Sequence, residues 1–158
     1  MIIVGMADLK VIRHPGGLTT LGLGSCVGIA LYDAATKTAG LAHVMLPDST
    51  KIKNNSNVAK FADTAAVRLL EDMLKLGAKK QYIRAKIAGG AQMFAFDTMN
   101  ENLRIGDRNV EATLKVLQQL AIPVVARDTG KNFGRTVELF TEDGRLVIKT
   151  IGYGSKTI

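Results

Sequence analysis

The sequence predicts an α+β fold in one domain, and three observations carry that prediction. At 158 residues, with 47% apolar and 22% charged side chains, the chain has the size and composition of one globular domain over residues 1 to 158. Its apolar residues fall mostly in short runs separated by Gly, Pro and Asp turns, which is how strands read. Only two stretches hold a 3.6-residue apolar period long enough to be helices. Many strands, several joined as hairpins, with two main helices covering one face, argue for mixed, hairpin-rich sheets over a doubly wound parallel sheet.

The elements follow in chain order. Residues 7 to 12 mix polar and apolar side chains ahead of the turn His14-Pro15-Gly16-Gly17, where His14 is expected at the surface. Residues 19 to 23 alternate loosely. Residues 27 to 32 and 39 to 45 are apolar runs around a polar turn at 33 to 38, and together read as an antiparallel hairpin. Residues 47 to 57 are polar and read as a long, mobile surface loop. From Asn57 to Leu76, Val58, Phe61, Ala65, Leu69, Met73 and Leu76 form a helical stripe, and Gly77 stands where a C-terminal cap is wanted. A strand is expected at 83 to 88. The cluster Met93-Phe94-Ala95-Phe96 reads as core. From Gly106 to Leu120, Val110, Leu114, Leu117 and Leu120 form a second helical stripe, followed by Pro123. Strands at 124 to 127, 136 to 140 and 146 to 150 complete the order, the last two joined through Asp143-Gly144, a hairpin signal.

Composition narrows the function. The N-terminus lacks the basic start and apolar core of a signal peptide, and no stretch reaches the ~18 uncharged apolar residues of a membrane span. With a single thiol, Cys26, the expected location is the cytoplasm, with no membrane insertion. The net charge of +7 favours an acidic partner. Aromatic residues are only 5% and the basic residues are dispersed, so nucleic acid is not the expected partner. Two histidines without repeated carboxylate spacing give no metal site, and no dinucleotide or phosphate-loop motif is complete, so no cofactor is called for.

One cysteine cannot form an internal disulfide or a thiolate zinc cluster. Cys26 follows Gly22-Leu23-Gly24-Ser25, a turn whose freed backbone suits an exposed nucleophile with N–H groups aimed at an oxyanion. A small buried apolar residue at a bulge is the competing reading. His43 strengthens the first. If Asp33 pairs with Thr38 in the predicted hairpin, Gly28 faces His43 and Cys26 faces Met45, which puts Cys26 and His43 on one sheet face as diagonal neighbours. A one-residue slip would send His43 to the other face. A core histidine bonded to a carbonyl is the plain alternative. A third group would orient the imidazole, and Asp33, Asp48, Thr20 and several Asn residues are all candidates by spacing.

The blocks at these positions are specific. Thr19-Thr20-Leu21-Gly22-Leu23-Gly24-Ser25-Cys26-Val27 and Ala42-His43-Val44-Met45-Leu46-Pro47-Asp48 are followed by Phe61-Ala62-Asp63-Thr64-Ala65. Then come Ala85-Lys86-Ile87-Ala88-Gly89-Gly90-Ala91-Gln92-Met93-Phe94, Ile105-Gly106-Asp107-Arg108-Asn109-Val110, Asp128-Thr129-Gly130, Asn132, Arg135 and Val137-Glu138. In this order, over nearly the whole chain, they resemble the CheD family of bacterial chemoreceptor glutamine deamidases. The resemblance implies a catalytic Cys26, His43 and Thr20, with Gly24 and Ser25 in the substrate and oxyanion loop. It implies hydrolysis of selected glutamine side chains in chemoreceptor cytoplasmic helices to glutamate and ammonia, which tunes chemotaxis adaptation. It also implies an α/β sandwich similar to the catalytic domain of cytotoxic necrotizing factors, and the phosphatase CheC as a partner. A non-catalytic regulator of CheC is the alternative activity. The tail from 151 to 158 and the loop from 49 to 57 match no family block.

Overall fold

The computed structural model describes residues 1 to 93 and 104 to 158. Its layers are two five-stranded sheets, one backed by two helices. The strands are β1 (Ile2–Ile3), β2 (Leu9–Arg13), β3 (Gly17–Leu23), β4 (Val27–Asp33), β5 (Thr38–Val44), β6 (Ile83–Gly89), β7 (Val124–Thr129), β8 (Arg135–Phe140), β9 (Leu146–Thr150) and β10 (Gly154–Thr157). The helices are α1 (Ala62–Lys75) and α2 (Ile105–Gln119). One sheet runs β1-β3-β8-β9-β10 and the other β2-β5-β4-β6-β7. Each contains one parallel pair, β1 with β3 and β6 with β7, so both are mixed as predicted.

The second sheet is covered on both faces, which is why β4 and β5 are almost uniformly apolar and buried. Its outer face packs Val27, Ile29, Leu31, Ala42 and Val44 under Ala65, Leu69 and Met73 of α1 and Leu117 of α2. Its inner face packs Ala30, Ala39, Leu41 and Ala88 against Leu18, Leu23, Val137, Leu139 and Ile148 of the other sheet. Beside the inner cluster, the fully buried Arg135 of β8 pairs with Asp128 of β7 at 2.9 Å.

The predicted hairpin forms with the predicted register: Asp33 pairs with Thr38 and Gly28 with His43. The ladder stops at Val27 and Val44, so Cys26 lies just past its end and makes no rung with Met45. The hairpin through Gly144 also forms, between β8 and β9. Helix α1 begins later than predicted, because Asn57 caps a short 3-10 turn over Val58–Lys60 and Phe61 is extended. Its C-terminus closes as a Schellman motif, with Gly77 N–H donating to Leu74 O (3.0 Å) and Ala78 N–H to Met73 O (3.1 Å).

Other expectations are corrected. The most buried side of α2 is Gly106, Asn109, Thr113, Val116 and Leu117, whereas Val110, Leu114 and Leu120 of the predicted stripe are half-buried. The surface loop after Pro47 is tied at its start. Ser49 donates through its N–H and Oγ to the Asp63 carboxylate of α1 (3.0 and 2.7 Å). Met93 is 45% exposed, not core, and Phe94, Ala95 and Phe96 lie outside the described residues. The tail supplies β10, an edge strand on β9. Among the described residues no helix is long and apolar enough to cross a membrane.

Candidate active site

Strand β3 carries the first component. Alternation from Leu18 would point residues 18, 20 and 22 at the other sheet. The β3–β8 register instead shifts between Thr20, which pairs with Val137, and Leu23, which pairs with Arg135. Three steps on β3 match two on β8, so the strand bulges, with Gly22 at φ +72° supplying the left-handed residue. The bulge pushes Leu21 and Gly22 to the surface and lets both Thr20 and Leu23 face the inter-sheet core. This explains the loose alternation of that segment.

Thr20 is completely buried and reaches across the sandwich to β5. Its Oγ1 lies 2.7 Å from His43 Nδ1 and 2.7 Å from the carbonyl oxygen of Val4. A hydroxyl has one proton, and a carbonyl can only accept. The Thr20 hydroxyl therefore donates to Val4 O and accepts from His43 Nδ1–H. This arrangement fixes the imidazole tautomer with its proton on Nδ1 and an unprotonated lone pair on Nε2. His43 is 1% exposed, and Nε2 is buried with no hydrogen-bond partner. The partner is thus a hydroxyl, not the carbonyl that a plain core histidine would use. The strand holds His43 through its backbone as well, with His43 N–H donating to Asp8 O and Ala7 N–H to His43 O, both at 3.0 Å.

Cys26 follows β3 in a turn whose backbone is pinned to the segment after β6. Gly90 N–H donates to Cys26 O and Ala91 N–H to Gly24 O, both at 2.8 Å. Gly89, at φ +107°, must be glycine here, since a Cβ on it would run into Cys26 O. The Gly24 N–H is engaged by Gly22 O at 3.0 Å, so it is not the free oxyanion donor that the sequence suggested. Parity within β4 and β5 places Cys26 and His43 on the same inter-sheet face; Cys26 joins the Leu23, Ala30 and Ala88 cluster and is 8% exposed.

Burial pushes the Cys26 thiol above its ordinary value, against the opposing effect of its own backbone N–H. Burial likewise pushes the His43 imidazole below its ordinary value. Both shifts favour the neutral form, thiol and imidazole, and no hydrogen bond joins Cys26 Sγ to the unpartnered His43 Nε2.

The other orienting candidates lie elsewhere. Asp33, at the far end of β4, accepts from the N–H groups of Ala35 (2.8 Å), Thr36 (3.3 Å) and Lys79 (2.9 Å). Asp48 accepts from Thr50 on the surface. His14 is exposed and bonds Thr141 Oγ1 at 2.9 Å. Among the described residues no cluster of three or more His, Cys, Asp or Glu is placed to hold a metal ion. A cleft of about 520 Å³ runs between the loop after Pro47 and α2, and its lining includes none of Cys26, His43 and Thr20. Sequence reasoning missed the Val4 carbonyl, a backbone atom with no residue-type signal.

Comparison with known proteins extends the likeness to the whole chain. Residues 45–150 match the family model described as CheD chemotactic sensory transduction. The chain is 58% identical over 158 residues to the "Probable chemoreceptor glutamine deamidase CheD" of Lachnoclostridium phytofermentans, covering 100% of this chain and 98% of the relative. It is 59% identical to the protein of the same name in Caldanaerobacter subterraneus subsp. tengcongensis, covering 98% of this chain and 96% of the relative. It is 52% identical to the "Chemoreceptor glutamine deamidase CheD" of Halalkalibacterium halodurans, again covering 98% and 96%. Among solved structures, the Bacillus licheniformis hypothetical protein YfiH shares the fold, with a TM-score of 0.51 at 16% identity. That match covers 77% of this chain and spans half the length of the YfiH chain. The chain belongs to the CheD family.

Proposed function

We propose that this protein is an amidohydrolase that converts glutamine side chains of chemoreceptor cytoplasmic helices to glutamate, with Cys26 as nucleophile, His43 as general base and acid, and Thr20 as the group that orients His43. The observation that carries the reading is the Val4–Thr20–His43 relay, because it leaves the Nε2 lone pair free for the Cys26 proton.

In this mechanism Nε2 takes the proton from Sγ, and the thiolate attacks the carboxamide carbon of the substrate. The backbone N–H groups of Ser25 and Cys26 are assigned to the oxyanion, in place of the engaged Gly24 N–H. The imidazolium then gives its proton to the departing nitrogen, releasing ammonia and leaving a thioester on Cys26. Water, deprotonated by His43, attacks the thioester, and its collapse returns the thiol and frees glutamate. Every proton moves through Nε2 while Nδ1–H stays on Thr20. The burial that keeps the pair neutral makes the first transfer uphill, and a hydroxyl stabilises the imidazolium less than a carboxylate would. A slow enzyme follows, which suits a modifier acting on few sites.

The reading also places the chain in the cytoplasm as one domain, where its positive charge favours an acidic receptor surface and CheC is the expected protein partner. Peptide mapping of a purified receptor cytoplasmic fragment, before and after incubation with the protein, tests the activity. Amide-to-acid conversion at discrete glutamines is expected. Equal turnover of free glutamine or simple esters would replace the reading with that of a small-molecule thiol hydrolase. Loss of conversion in Cys26→Ala with retained CheC binding would establish two separate roles.

A further inference from the structure

We propose that Asn109 is a positioning residue for this reaction: its side-chain amide clamps the cysteine turn to the histidine strand. The inference rests on the reading of Cys26 and His43 as the reacting pair. Asn109 Nδ2 donates to Ser25 O at 2.9 Å and to Met45 O at 3.0 Å, and the residue is fully buried. Ser25 immediately precedes the nucleophile, and Met45 lies two residues beyond the base. The β4–β5 ladder has already ended at Val27 and Val44. Where the next rung would tie these two segments, the chains are bridged by this one amide instead.

The chemistry of the partners decides how the amide is turned. Both are carbonyl oxygens, so only the nitrogen can face them, and its two hydrogens serve one each. The Asn109 Oδ1 is buried without a hydrogen-bond partner. A side chain that leaves an acceptor unsatisfied in the core is retained for its two donor bonds, not as inert filling. The surroundings hold it in place. Thr113 Oγ1 donates to Asn109 O at 2.7 Å. Gly106 brings the start of α2 against the carbonyls of Gly90 and Ala91, whose N–H groups pin the cysteine turn from the other side. The block from 105 to 110, which the proton-transfer mechanism leaves unused, thereby acquires a purpose: it sets the Cys26-to-His43 geometry.

Asn109→Asp and Asn109→Ala separate clamping from packing. Asp is nearly isosteric but turns an acceptor toward two carbonyls; Ala removes the group. The clamp predicts that kcat falls about 10- to 100-fold in both, with KM within about twofold, and that Asp is at least as damaging as Ala. A space-filling role predicts the reverse order, with Asp close to wild type. The second readout is the pH dependence of Cys26 alkylation by iodoacetamide, which needs no receptor. Wild type should show a limb set by His43, identified by its loss in His43→Ala. Asn109→Asp and Asn109→Ala should lose that limb, whereas a merely destabilised protein keeps it while its melting temperature falls. If Ala does not fold, Asn109→Ser, with one donor left, should give an intermediate loss. Retention of the limb and of wild-type kcat in Asn109→Asp overturns the clamp alone. A wild-type profile with no His43 limb overturns the pairing of Cys26 with His43, and the clamp falls with it.

Discussion

Replacing Thr20 by Val conserves the shape of the side chain and removes only the hydroxyl. The structure fixes what is lost: a 2.7 Å bond from Oγ1–H to Val4 O and a 2.7 Å bond accepted from His43 Nδ1–H, both in a fully buried position. The Val4 carbonyl is left unpaired, which costs about 1–3 kcal/mol of stability. For a chain of this length that corresponds to roughly 2–12 °C in Tm. The catalytic loss has a separate origin. Without an acceptor at Nδ1 the imidazole can move its proton to Nε2, and the base then faces Cys26 with a hydrogen instead of a lone pair. A hydrogen bond to a group that becomes charged in the reaction is worth about 1.5–3 kcal/mol, so kcat should fall about 10- to 150-fold. Thr20→Ser keeps the hydroxyl and should recover most of the rate. The assay is receptor deamidation followed by peptide mapping, with thermal unfolding run in parallel. A Thr20→Val enzyme within twofold of wild-type kcat, or a Ser variant as poor as Val, would refute the relay.

Further outcomes follow from the same structure. Burial holds the folded His43 below its ordinary 6.5, so the acid limb of kcat should lie below that pH; a limb at or above 6.5 contradicts a buried, neutral base. The sign for stability is the same: the unfolded chain takes the His43 proton first, so the contribution is full above 6.5 and is lost as pH falls below it, read by denaturant unfolding across that range. Ala121 closes the C-terminus of α2 at φ +57°, with its N–H donating to Gln118 O, so Ala121→Gly should stabilise the fold by about 0.5–1 kcal/mol in urea unfolding. With a net charge of +7, receptor deamidation should slow as salt rises, chiefly through KM; a rate indifferent to salt would remove the steering role of the charge.

How far the sequence could be read follows from the range of each interaction. The β4–β5 register was legible once Asp33 was set opposite Thr38, because the faces of a strand alternate every two residues and the observed ladder has that pairing. That alone put Cys26 and His43 on a common face. Thr20 could not be singled out by spacing, because its bond to His43 crosses from one sheet to the other and depends on a bulge that changes the alternation of β3. Only the family resemblance favoured it over Asp33 and Asp48, which the fold directs to local turns. Strands β1 and β10 escaped notice because one has two residues and the other is exposed throughout, so neither carries a buried alternation. Asn109 was hidden for a related reason: a polar residue inside an amphipathic pattern reads as a solvent face, and the apolar stripe of α2 pointed to Val110 and Leu114 while the helix turned its small and polar side inward.

The central claim is that the Cys26 thiol performs the amide hydrolysis. Its most direct test is peptide mapping of a receptor cytoplasmic fragment incubated with wild-type protein or with Cys26→Ala, both verified as folded. Wild type should leave glutamate at discrete glutamine positions, and the variant should leave glutamine unmodified at the same positions. Conversion that persists with Cys26→Ala would contradict it.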